Sequence, residues 1–128
     1  MARIIDDTLD ADPQAPATAR DRVRTLDVDD QVRRTLELIV SELVTNSVVH
    51  GGDGSDRKLA LRLRCESENV RGEVCDPGAG FDWEQHEPDL SEPGGLGLML
   101  VDTLAERWGI RRNCSTCVWF ECVGCAAD

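Results

Sequence analysis

Glu42 and Asn46, one helical turn apart, are the first side chains of this chain whose types and spacing could do chemistry together. At about 100° per residue they sit about 40° apart on a helix. Leu36, Ile39, Val40 and Leu43 form the apolar stripe beside them, and Arg33, Arg34, Glu37 and Ser41 point the other way. The pair therefore lies at the edge of a buried face, where a polar group left without a partner costs on the order of 1–3 kcal/mol. It is either a pair of boundary residues satisfied by backbone or a pair held for function.

A second constellation, Asp76-Pro77-Gly78-Ala79-Gly80-Phe81, stands at the end of a strand. Pro77 removes a ladder donor and ends pairing, and the two glycines let a flat ligand approach the backbone. A carboxylate placed there can accept a hydrogen bond from an exocyclic amine such as that of adenine. The plain alternative is a turn of the Asp-Pro-Gly kind. A third, Gly94-Gly95-Leu96-Gly97-Leu98, opens a helix. Unpaired N–H groups and the positive end of the helix dipole suit phosphate oxygens, although a loop before a helix would read the same way.

The elements that must position these residues follow from periodicity. Ile4-Ile5 opens a first strand. Asp12 is read as an N-cap with Pro13 at the first helical position, and Ala15, Ala19, Val23 and Leu26 follow at helical spacing. A second helix runs from Asp29-Asp30 to Gly51-Gly52. Leu59, Leu61, Leu63 and Cys65 alternate with Lys58, Ala60, Arg62 and Arg64, and Val70 to Asp76 alternates again across a turn at residues 66–69, predicting a hairpin. A third helix carries Leu96, Met99, Leu100, Leu104 and Trp108, with Gly109 as its end. Ile110 to Arg112 and Cys117 to Val123 form a closing hairpin. Helices set apart from runs of antiparallel strands predict an α+β sandwich.

The chain has 128 residues, fitting one domain, and 41% apolar residues, enough for one core. Its formal net charge of −11 disfavours direct nucleic-acid binding but not a basic protein partner. Residues 1–10 carry no apolar run of signal-peptide length, and no stretch reaches the ~20 apolar residues of a membrane helix, so a cytoplasmic protein is expected. Its six cysteines are then expected as reduced thiols rather than a disulfide framework. Cys114, Cys117, Cys122 and Cys125 have a spacing that invites zinc, but Val118-Trp119-Phe120-Glu121 between them reads as a strand, and no metal is expected there.

In their order and spacing the three constellations resemble the N box, G1 box and G2 box of the GHKL ATPases, a superfamily that includes gyrase, histidine kinases and mismatch-repair ATPases. With Glu42-Leu43-Val44-Thr45-Asn46-Ser47-Val48-Val49-His50-Gly51, and the later Arg107-Trp108-Gly109 and Val118-Trp119-Phe120-Glu121 runs, the chain is similar to anti-sigma-factor serine kinases of actinobacterial type. The resemblance covers nearly the whole chain. It implies a single GHKL-type ATP-binding domain over residues 1–128 with the Bergerat fold, a two-layer sandwich of a mixed sheet with helices on one face. ATP and Mg2+ are the implied cofactors. By the same resemblance Glu42 is the general base and Asn46 ligates magnesium and contacts ATP. Asp76 reads the adenine amine, Gly78 and Gly80 shape the base pocket, and Gly95, Gly97 and Leu98 meet the phosphates. His50 matches a position that is often basic.

The implied activity is transfer of the γ-phosphoryl of ATP to a serine of an anti-anti-sigma (STAS-type) antagonist, alternating with binding of a sigma factor on one shared surface. Neither nucleic acid nor membrane is an expected partner, and a homodimer is left open. Two departures favour a rival, a non-catalytic module that binds ATP or only a protein. Residues 82–106 contain no Lys or Arg, with Pro93 and Leu96 where many relatives have an arginine, and Ser115-Thr116-Cys117 replaces a frequent Gly-Lys-Thr. A detached histidine-kinase catalytic domain is weaker, since the remaining histidine, His86, lies in the acidic 82–93 lid.

Overall fold

A computed structural model describes residues 3–50, 57–66, 68–76, 97–112 and 115–123, with only the backbone of His50, Gly97, Leu98 and Arg112. The chain runs β1 (Ile4–Asp10), α1 (Ala15–Val23), α2 (Asp30–His50), β2 (Lys58–Glu66), β3 (Asn69–Asp76), α3 (Gly97–Leu104), β4 (Arg107–Arg112) and β5 (Thr116–Val123). The strands form one sheet in the order β1-β2-β3-β5-β4.

This is the expected α+β two-layer sandwich, with one correction: every pairing among the described residues is antiparallel, so the sheet is not mixed. The connections explain it. The two helices α1 and α2 return the chain to the end of the sheet where β1 finished, so β2 runs back along β1. The single helix α3 makes β4 parallel in direction to β3, but β5 is inserted between them and pairs antiparallel with both.

One core lies between the sheet and the helices. Ala15, Ala19 and Val23 of α1, Leu36, Ile39, Val40, Leu43 and Val44 of α2 and Val101 of α3 bury against Leu59, Leu61, Leu63, Val70, Val74, Val118 and Phe120 of the strands. The period-2 pattern of β2 is visible as alternating buried and exposed residues. Gly72 lies opposite Phe120, and a Cβ there would collide with the Phe120 ring and stand 2.7 Å from Leu63. The opposite sheet face carries no helix layer among the described residues. It is filled by ion pairs, with Arg62 and Arg111 each 2.8 Å from Glu73, and Arg71 2.7 Å from Glu121 and stacked 4.6 Å from the Trp119 ring.

Two helix boundaries differ from the periodic reading, the start of α1 and the end of α3. Asp12 Oδ1 accepts the Gln14 N–H at 2.9 Å, a local turn, so α1 starts only at Ala15 with a proline in its first turn. Asp29 does cap α2, its Oδ1 accepting the Val32 N–H at 2.8 Å. Arg33 does not point away; it turns back and donates to the carbonyls of Leu26 and Val28, pinning the α1–α2 connection. The third helix stops at Leu104, and Trp108 and Gly109 belong to β4. Trp108 faces Phe120 in the ladder and donates from Nε1 to Asp102 at 3.0 Å. Gly109 sits against the Trp119 indole, where a Cβ would come within 2.8 Å of Nε1. Glycine is there for close approach, not as a helix end.

Candidate nucleotide site

The buried polar side chains among the described residues are Asn46, Ser47, Asp76 and Thr116. All four lie where the last turns of α2, the end of β3 and the start of β5 meet. Asp76 and Thr116 are directly opposed in the β3–β5 ladder. Arg57, just before β2, ties this pair to α2: its Nη2 donates to the Ser47 carbonyl at 2.6 Å and its Nε lies 3.8 Å from Asp76 Oδ2. Leaving four polar side chains at one corner of an apolar core is unfavourable unless they are paired or serve a ligand.

Asn46 is 3% exposed, and its Oδ1 has no hydrogen-bond partner among the described residues. Its position follows from helix geometry. Leu36, Ile39, Val40 and Leu43 hold the inner face of α2 against the sheet, and Asn46 continues that face one turn beyond Leu43. Glu42, one turn earlier, is half-buried. A buried carboxamide oxygen with no donor suits a hard cation, which takes oxygen ligands. The donor chemistry of this corner therefore fits magnesium at Asn46.

Asp76 ends β3 with its side chain on the helix-covered face, 4% exposed. Gly97 and Leu98 are the first residues of α3. His50 is the last residue of α2. Gly78, Gly80 and Gly95, the lid from Asp82 to Pro93 and the Gly51-Gly52 helix end lie outside the described residues. The structure thus brings Asn46 and Asp76 to one corner, joined through Arg57 and Ser47. Arg57, Ser47 and Thr116 were not legible as site residues in the sequence. Thr116 could have been found from strand register, since it precedes the Val118-Trp119-Phe120 run that pairs with β3. Nothing local marks Arg57, a single cation at a strand start.

The cysteines also need correction. Cys75 and Cys117 are joined in a disulfide, because the β3–β5 register places them directly opposite on the outer sheet face. Cys117 and Cys122 lie on opposite faces of β5, so these two cannot share one ion; Cys114 and Cys125 lie outside the described residues.

This order of elements, with buried polar residues where α2, β3 and β5 converge, is matched over residues 9–122 by the model of the histidine kinase-like ATPase domain. The chain belongs to the histidine kinase-like ATPase family. Within it, the serine-protein kinase RsbW of Bacillus pumilus is 34% identical over 92 residues, which cover 61% of this chain and 57% of that protein. RsbW of Listeria innocua is 30% identical over 83 residues, covering 56% and 53%. The chain thus spans little more than half the length of these curated relatives. The crystal structure of the RsbU and RsbW domains of Rv1364c from Mycobacterium tuberculosis superposes with a TM-score of 0.70 over 98% of this chain and 34% of that one, at 22% identity. The fold is therefore the family's. Among the described residues no helix is long and apolar enough to cross a membrane.

Proposed function

We propose that residues 1–128 act as one ATP-binding domain of a cytoplasmic anti-sigma regulator, which phosphorylates a serine of an anti-anti-sigma (STAS-type) antagonist and alternately holds a sigma factor. The gathering of Asn46, Ser47, Asp76 and Thr116 as buried polar side chains at one corner carries this reading. Likeness to the RsbW serine-protein kinases supports the choice of phosphoryl acceptor.

In this reading Asp76 accepts a hydrogen bond from the adenine amine, and the Arg57 guanidinium beside it orients the carboxylate. Gly78 and Gly80 shape the base pocket. Gly95, Gly97 and Leu98 bring backbone N–H groups to the phosphates at the start of α3. Asn46 holds Mg2+ through Oδ1. The bound ion offsets phosphate charge, a task made heavier here because residues 82–106 supply no Lys or Arg. Glu42, one turn from Asn46, takes the proton of the attacking serine hydroxyl. That same shortage of cations favours the second reading, a module that binds ATP without transferring phosphate.

Calorimetric titration with ATP and GTP tests the nucleotide assignment. ATP should bind much the tighter, because the group of guanine corresponding to the adenine amine is an acceptor that a carboxylate repels. Asp76→Asn should weaken ATP binding by about 1–3 kcal/mol. Equal affinity for the two nucleotides would remove Asp76 from base recognition.

A further inference from the structure

On the far side of the sheet from Asp76, the same strands carry a pair of sulfurs. Cys75 precedes Asp76 and Cys117 follows Thr116, so the disulfide is one ladder step from the opposed Asp76–Thr116 pair. Alternation sends the sulfurs to the outer face and the polar pair to the inner one. The bond spans 42 residues of sequence, and α3 and β4 lie within that span.

The bond is buried, with Cys75 5% and Cys117 3% exposed, and a groove reaches it at its Cys75 end. A groove of about 280 Å3 is lined by Thr8, Lys58, Ala60, Arg62, Cys75 and Ser115. Its charges are balanced: Lys58 pairs with Asp10, and Arg62, with Nη1 4.0 Å from Cys75 Sγ, pairs with Asp6 and Glu73. Ser115 Oγ lies 3.7 Å from Cys117 Sγ. Cys65 and Cys122, by contrast, face the core, and burial with help from Glu106 pushes the Cys122 thiol up to about 11. A disulfide in a reducing compartment is more often regulatory than structural.

We propose that Cys75–Cys117 is a reversible redox site, opened by a low-molecular-weight thiol, and that its state sets how tightly the adjoining site holds ATP. The thiolate of the incoming molecule attacks Cys75 Sγ from the groove. The sulfur–sulfur bond breaks, and Cys117 leaves as a thiolate that accepts a hydrogen bond from the Ser115 hydroxyl. A second thiolate attacks the external sulfur of the mixed disulfide, and Cys75 leaves as a thiolate beside Arg62. The two external thiols depart as one disulfide, oxidised by two electrons. Their two protons end on Cys75 and Cys117, and the protein is reduced by two electrons. Reduction removes the covalent tie beside the Asp76–Thr116 pair, so the end of β3 loosens and ATP affinity falls. The coupling to ATP rests on the nucleotide reading above; the redox site does not.

The test compares protein equilibrated in oxidised and in reduced glutathione, by iodoacetamide labelling with mass spectrometry, by amide exchange at residues 74–76 and 116–118, and by ATP titration. Reduced protein should take two further labels, at Cys75 and Cys117, and should exchange faster at both strand ends. It should bind ATP about five-fold or more weakly. The Cys75→Ser/Cys117→Ser variant should show one affinity, that of reduced wild type, in both buffers. Labels at both cysteines in oxidised glutathione would overturn the redox site. Equal ATP affinity in the two states of wild type would overturn the coupling. If neither state binds ATP, the nucleotide reading fails and takes the coupling with it, while labelling and exchange still decide the redox site.

Discussion

Arg57 and Asp76 form a buried ion pair, Nε to Oδ2 3.8 Å, with side chains 8% and 5% exposed. Arg57 also holds the Ser47 carbonyl, so one guanidinium fastens the end of the N-box helix to the carboxylate at the end of β3. The segment that separates Arg57 from α2 is short and glycine-rich, and the Arg57–Ser47 hydrogen bond ties the strand start to the helix.

Arg57→Leu should therefore destabilise the protein by about 3 kcal/mol, since it leaves a buried carboxylate without its cation. Arg57→Leu combined with Asp76→Asn should recover part of that loss, because the stranded charge is gone. Urea unfolding of the three variants checks this. Additive losses would mean that the two side chains act independently.

How far the sequence reached is seen in α2 and in β4. The apolar spacing of α2 announced a helix, its buried stripe and the Glu42–Asn46 edge, because one periodicity governs all three. The alternation of β2 and β3 likewise gave a hairpin and its inner face. Trp108 and Gly109 misled, since a tryptophan at helical spacing and a following glycine mimic a helix end, whereas cross-strand packing on Phe120 and Trp119 decides their state. The Cys75–Cys117 bond was hidden for the same reason: 42 residues separate the partners, and only the β3–β5 register brings them together. Arg57 entered the site through tertiary contact alone.

Magnesium should govern ATP affinity through Asn46. The buried Asn46 Oδ1 atom has no hydrogen-bond partner among the described residues, so a bound cation meets a group already stripped of water. Chelator should weaken ATP binding to wild type sharply, and Asn46→Ala should bind ATP weakly with or without the ion. Calorimetry with and without Mg2+ decides it, and unchanged wild-type affinity in chelator would contradict the role given to Asn46.

Acid should weaken the outer sheet face through Glu73. Burial raises its pKa, but the hydrogen bond from Arg62 and the charge and hydrogen bond of Arg111 outweigh burial, holding the carboxyl below its ordinary value of 4.5. A carboxyl depressed on folding contributes stability above its unfolded pKa and loses it as pH falls through the folded one. Stability should thus decline below about pH 4.5, and Glu73→Gln should flatten part of that decline while lowering stability at pH 7 by up to about 1 kcal/mol. Urea unfolding at several pH values reads both effects; an unchanged acid slope in the variant would show that Glu73 contributes none of it.

Phosphoryl transfer turns on Glu42. A general base acts on the attacking hydroxyl and adds little to binding, and its charge slightly opposes the phosphates nearby. The decisive measurement is radiolabel transfer from ATP to an antagonist captured from the native cytoplasm, by wild type and Glu42→Gln, with nucleotide affinity measured alongside. The account predicts labelling of an antagonist serine by wild type, a fall of about 10²–10⁴-fold in Glu42→Gln, and ATP affinity equal or tighter in the variant. Tight Mg·ATP binding by wild type with no transfer, or transfer undiminished in Glu42→Gln, would contradict it.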